Sequence, residues 1–177
     1  MSDALHHFIA HLETHLPAAR NQRDAVGIVS HALQPLLAQP HLFSPEHLEA
    51  LRSGEYDGEI YHSPALDFIV RVFGWPEGCK TPVHDHETWG VMGIYQGVLH
   101  VEEYELSSAA TPGYYPLALK ADYHAHPGAI SYLLSPEDEI HRIANPGPEY
   151  ALSIHIYGRP ISNYHEFDLE SGQVTRV

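Results

Sequence analysis

Two histidines, His84 and His86, stand two positions apart in Pro82-Val83-His84-Asp85-His86, and a third, His141, follows in Glu139-Ile140-His141-Arg142. If Val83 to His86 is extended, successive side chains alternate across the sheet, so both imidazoles of the pair face one side within reach of a single metal ion. His141 would complete a facial set. Spacing of this kind belongs on a strand, because the helical zinc pair of a His-Glu-x-x-His motif needs ligands four residues apart. Neutral imidazole suits iron, zinc, copper and nickel alike, so ligand type alone does not choose the metal. Sixteen histidines in 177 residues also make one such pair expected by chance.

A second pattern is Ser153-Ile154-His155-Ile156-Tyr157-Gly158. On a strand, Ser153, His155 and Tyr157 share a face and can form a hydrogen-bonded row; taken alone, the row reads first as a barrel wall whose polar groups satisfy one another. His124 and His126 repeat the His-x-His spacing, but no third ligand pattern follows them, and a surface or turn position is expected. His7, His11 and His15 fall on one helical face, where imidazoles four apart can converge on a metal, but a solvated polar face is the expected reading. Cys79 is the sole cysteine. It has no intramolecular disulfide partner, and with Lys80 as its only basic neighbour it reads as a packed or loop thiol. Trp89 is expected to pack at a pocket edge.

The elements that must hold these groups change character along the chain. Residues 3 to 16 carry Leu5, Phe8, Ile9, Leu12 and Leu16 at helical spacing, with Ser2 or Asp3 as cap. A second helix is predicted from Asp24 through Leu37, with Pro35 near its end, and a short third one from Ser44-Pro45 to just before Gly54. Beyond Gly58 the pattern becomes short strands punctuated by proline and glycine. They are expected at Glu59–His62, Asp67–Trp75, Val83–Tyr95, Val98–Leu106, Tyr115–Leu119, Asp122–His126, Ala129–Leu133, Glu139–Ala144 and Ala151–Tyr157. Many short strands with regular turns point to a sandwich or barrel. The segment from Tyr164 to Val177 is expected to form a terminal hairpin packed on it.

A net charge of −14, with only nine Lys plus Arg, disfavours nucleic acid and anionic membrane surfaces as partners. No apolar run approaches spanning length, and the first residues lack a basic region followed by an apolar core, so a cytoplasmic protein is expected. The whole chain, 1–177, reads as one domain, with 1–54 a helical cover and 55–177 a barrel.

Gly78, Pro82, His84, His86 and Gly97 resemble the first motif of the cupin superfamily, and Pro136 to Asn145 with His141 resembles the second. The glutamate that cupins commonly add as a fourth ligand would fall on Gly90 or Val91, so this looks like a three-histidine site without a carboxylate. His-Asp-His, then Thr88-Trp89-Gly90-Val91, the Glu-Ile-His-Arg block and the Ser-x-His-x-Tyr-Gly block occur in the order of the cysteine dioxygenase family and its bacterial 3-mercaptopropionate dioxygenase relatives. This resemblance covers about residues 55 to 165.

The resemblance implies a mainly β fold, a cupin double-stranded β-helix or jelly roll, here with an N-terminal α-helical cover. It implies Fe(II) held by His84, His86 and His141, with Ser153, His155 and Tyr157 as catalytic residues. The substrates would be a small thiol, a mercapto acid in preference to cysteine, and O2, giving a sulfinate. The cysteine that crosslinks to the tyrosine in mammalian-type members has no counterpart at Gly90-Val91, so Tyr157 should be unmodified. The upstream arginine that grips the substrate carboxylate is also missing from Gly58-Glu59-Ile60-Tyr61-His62, leaving Arg71, Arg142, Arg159 and Arg176 as substitutes. Two rivals use the same fold: a metal-dependent enzyme acting on a non-thiol such as a diketone, and a cupin that binds a metal or small molecule without catalysis. Oligomeric state is open.

Overall fold

The structure, a computed structural model, describes residues 1–54 and 58–177. The boundary expected at 54/55 between cover and barrel therefore falls at residues 55–57, outside the described residues. Among the described residues three α-helices come first. Helix α1 (Asp3–His15) is capped by Ser2, whose side chain accepts from the Leu5 amide. Helix α2 (Gln22–Leu37) begins two residues before the predicted Asp24, because the Asn21 side chain accepts from the Asp24 amide and takes the cap position, leaving Asp24 to favour the positive helix end from the first turn. Helix α3 (Pro45–Ser53) starts on Ser44 with proline in its first turn and ends on Gly54 in the left-handed conformation.

Eleven strands follow among the described residues: β1 (Glu59–His62), β2 (Ile69–Trp75), β3 (Val83–His84), β4 (Gly90–Gln96), β5 (Leu99–Leu106), β6 (Leu117–Ala125), β7 (Ile130–Leu133), β8 (Ile140–Ala144), β9 (Ala151–Tyr157), β10 (His165–Phe167) and β11 (Val174–Arg176). They make two antiparallel sheets, ordered β1-β2-β9-β4-β7 and β11-β10-β3-β8-β5-β6. The mainly β jelly roll with an N-terminal helical cover is thus what the chain forms. The terminal hairpin is also present, and β10 joins the second sheet by pairing with β3.

Three expected strands are corrected. Val83–Tyr95 is not continuous: β3 and β4 lie in different sheets, and the chain leaves one for the other near Glu87, whose φ of 52° is left-handed. Conversely, Tyr115–Leu119 and Asp122–His126 fuse into β6, which pairs with β5 from Leu106↔Leu117 to Leu99↔Ala125 and absorbs an irregularity between Glu103 and Tyr104.

Strand alternation separates two cores. Val70, Val91, Ile154 and Ile156 point outward into a cluster with Leu5, Phe8, Leu12, Val29 and Leu33 of the helices. Helix α2 approaches β4 so closely that a Cβ on Gly93 would stand 2.7 Å from Leu37 and 2.8 Å from Leu33. The other face of the same sheet looks between the sheets, where Trp75, Met92, Ile94, Leu99, Val101 and Ile143 cluster. Strand β9, covered on both sides, is buried along its whole length.

Candidate metal centre

His84 and His141 are cross-strand partners, aligned by the β3–β8 pairing. His86 lies just past β3, and its amide donates to Glu139 Oε2 at 3.1 Å, which ties the loop to the start of β8. The three rings meet with centroids 4.7 to 4.9 Å apart, and one ligand atom from each lies within 4.8 Å of the others. His84 Nδ1–H donates to the Pro82 carbonyl at 2.9 Å, leaving the Nε2 lone pair available. His86 Nδ1 and His141 Nε2 are buried without a hydrogen-bond partner. Unmade hydrogen bonds on buried ring nitrogens are costly, and a cation between the rings is the partner this donor set fits. Burial holds all three imidazoles below their ordinary pKa, and for His86 and His141 the neighbouring rings add to it. The rings are therefore neutral at pH 7, the form that ligates.

Two carboxylates fix the loop that carries the pair. Asp85 accepts from the His165 amide at 2.7 Å and from His165 Nδ1 at 2.8 Å, which joins β10 to the ligand loop. Glu139 accepts from Ser135 Oγ at 2.7 Å as well as from the His86 amide, and burial raises its pKa. Both residues stood inside the quoted motifs. His165 and Ser135 did not, and the contact of Glu139 with the His86 amide joins positions 53 residues apart, so their role was invisible in the chain.

Ser153, His155 and Tyr157 do form a row. Ser153 Oγ lies 2.8 Å from His155 Nε2, and His155 Nδ1 lies 2.9 Å from the Tyr157 hydroxyl. The row begins one residue earlier in space: Trp75 Nε1–H donates to Ser153 Oγ at 2.8 Å. An indole N–H can only donate, so the serine hydroxyl hydrogen turns to His155 Nε2, its remaining partner among the described residues. His155 then carries its proton on Nδ1 and donates to the tyrosine oxygen. That leaves the Tyr157 hydrogen free for the cavity. Burial pushes His155 down to about 3 and keeps it neutral, as this direction requires, while burial raises Tyr157 and keeps it protonated. Tyr157 also stacks on His86, with centroids 5.2 Å apart.

The histidine cluster and the tyrosine open into one cavity of about 390 Å³. Its β2 wall is the inward row Ile69, Arg71, Phe73 and Trp75; Cys79, Ile143, Ile161 and Tyr164 line it elsewhere. Of the four candidate arginines only Arg71 reaches it. Arg142 forms a two-pronged pair with Glu102, Arg159 donates to the Glu87 carbonyl, and Arg176 sits exposed 3.7 Å from the Glu87 carboxylate. Arg71 lies over the Phe73 ring, 5.5 Å from its centroid.

The remaining expectations sort by place. Trp89 stands away from this cavity, packed against Gly158 and the helical core. His124 stacks on His100 at an exposed position of β6, and His126 is exposed. His11 stacks on His15 on the outer face of α1. Cys79 is half-buried, packed beside the Trp75 cluster.

A family model described as cysteine dioxygenase type I matches residues 65–170. Among solved structures, similarity extends to an uncharacterised conserved protein with a double-stranded β-helix domain from Klebsiella pneumoniae, at 16% identity over 61% of this chain and 75% of that one, with a TM-score of 0.43. A sugar phosphate isomerase from a cupin superfamily, from Silicibacter pomeroyi, matches at 12% identity over 63% and 67%, TM-score 0.43. A cupin superfamily protein from Desulfitobacterium hafniense matches at 14% identity over 58% and 74%, TM-score 0.41.

Proposed function

The chain belongs to the cysteine dioxygenase type I family, and from that membership and the geometry of its cavity we propose that it is an iron-dependent thiol dioxygenase acting on a mercapto acid. The observation that carries this reading is the meeting of two patterns in one cavity, the three neutral histidines and the donor row that ends on Tyr157. His84, His86 and His141 would hold Fe(II), which supplies a Lewis-acidic, redox-active centre for a thiolate and O2. A set of three neutral ligands leaves the ion its full charge, which suits an anionic sulfur.

The overall change is R–SH + O2 giving R–SO2⁻ + H⁺. Two S–O bonds form and the O–O bond breaks; sulfur loses the four electrons that dioxygen gains, so no other reductant is needed. The protein's own part is positional. Tyr157, with its donor side turned to the cavity, hydrogen-bonds the substrate anion, while His155 and Ser153 fix that orientation; the thiol proton is the H⁺ released to solvent. Arg71 takes the carboxylate through its planar fork, in place of the upstream arginine absent from 58–62. A free thiol needs a reducing compartment, which fits a cytoplasmic setting. No helix among the described residues is long and apolar enough to cross a membrane.

The test is oxygen uptake by the iron-loaded protein with cysteine, 3-mercaptopropionate, mercaptosuccinate and cysteamine, coupled to mass spectrometry. A product heavier than the thiol by two oxygens, one per O2 consumed, is expected. Uptake without sulfinate, or none from any thiol by protein that retains iron, sinks the proposal.

A further inference from the structure

The cavity is larger and more apolar than a three-carbon mercapto acid requires. At roughly the 30 Å³ that a water molecule occupies in the liquid, the six heavy atoms of 3-mercaptopropionate fill less than half of the 390 Å³ available. The wall is long as well. Ile69, Arg71, Phe73 and Trp75 all project inward from β2, a run of about 20 Å at the strand rise. Three of these four side chains are apolar, and Ile143 faces them from β8 on the opposite sheet. The candidate ligand groups lie at one end, since Ile69 pairs with Tyr157, which stacks on His86, while Trp75 pairs with Ala151 at the other; the polar side chains along the rest are already engaged, Thr81 accepting from the Ile143 amide and His155, beside Phe73, held by Ser153 and Tyr157.

Sulfur at the histidine cluster and carboxylate at Arg71 would leave the stretch along Phe73, Trp75, Cys79 and Ile143 unfilled. Resting on the thiol dioxygenase reading, we propose that the preferred substrate is a mercaptocarboxylate bearing an apolar alkyl or aryl arm, which lies along this part of the wall. Phe73 and Trp75 supply flat apolar faces to such an arm, and neither offers it a polar partner, because the Trp75 N–H is already spent on Ser153. The reaction is the same sulfur oxygenation, with O2 as the sole oxidant.

The test uses 3-mercaptopropionate, 3-mercaptobutyrate and 3-mercaptohexanoate, which share one thiol–carboxylate spacing and differ in the arm. With iron-loaded protein, kcat/KM should rise about fourfold per buried methylene, at least tenfold across the series. A flat or falling series overturns the inference and leaves thiol dioxygenation standing. If no thiol consumes oxygen, the thiol reading itself fails, and the cavity is judged by calorimetry under argon with sulfur-free acids. Hexanoate should then bind at least tenfold tighter than propionate; equal affinities overturn the apolar arm. Cys79→Phe, filling the Trp75 end, should lower the ratio of kcat/KM for 3-mercaptohexanoate to that for 3-mercaptopropionate at least tenfold. An equal change for both in a folded variant counts against the placement.

Discussion

The Tyr157 hydroxyl is the last donor of a row whose direction is set by an indole N–H, and this makes its removal a sharp experiment. Tyr157→Phe keeps the ring that stacks on His86, so iron content should be unchanged, while kcat falls roughly a hundredfold, as for loss of one positioned proton donor. Wild-type kcat in the variant would move the proton elsewhere. Retained iron with lost activity is the pattern that a merely structural tyrosine would not give. At this scale the chain was partly readable: Ser153, His155 and Tyr157 could be aligned because a strand places every second residue on one face. Trp75 could not be added, since its partner lies 78 residues away on another strand. Arg71 was one of four candidates until the lining of the cavity was visible.

Among elements, the ligand loop and the α2–β4 contact each offer a prediction. Glu139 bridges the His86 amide and Ser135, so Glu139→Gln retains a carbonyl acceptor but loses the charge and places an NH₂ against one donor. Iron affinity should fall about 10- to 100-fold, as for other partners that orient a ligand, measured by competition with a chelator; unchanged affinity would show that the loop holds itself. Gly93→Leu would drive a side chain into Leu33 and Leu37, costing about 1–3 kcal/mol or more in urea denaturation at an unchanged cavity chemistry. The helices were readable because their apolar stripes recur at helical spacing and each has a capping side chain. The break between β3 and β4 was not, because Val83 to Tyr95 has no proline or internal breaker before Gly90, and the turn is made by Glu87 at a positive φ held within the folded loop. A sheet switch of that kind is a tertiary event.

For the whole molecule, buried neutral histidines couple stability to both pH and metal. His155 titrates at about 3 in the folded chain against 6.5 when exposed, so as pH falls the unfolded chain takes up the proton first. Its contribution is complete above pH 6.5 and is lost progressively between 6.5 and about 3, at roughly 1.4 kcal/mol per unit. His84, His86 and His141 are shifted in the same direction, so metal-free protein should lose Tm steeply below pH 6.5. Bound iron acts on the same groups with the opposite effect. It binds only neutral rings of the folded state, and at a hundred times its Kd adds about 2.7 kcal/mol. Calorimetric scans of iron-loaded and chelator-treated protein from pH 8 to pH 4 should therefore show a gap in Tm that is largest above 6.5. The gap should narrow as protons compete for the three imidazoles. A gap independent of pH would mean that the ion sits on carboxylates, and the centre at His84, His86 and His141 would have to be abandoned.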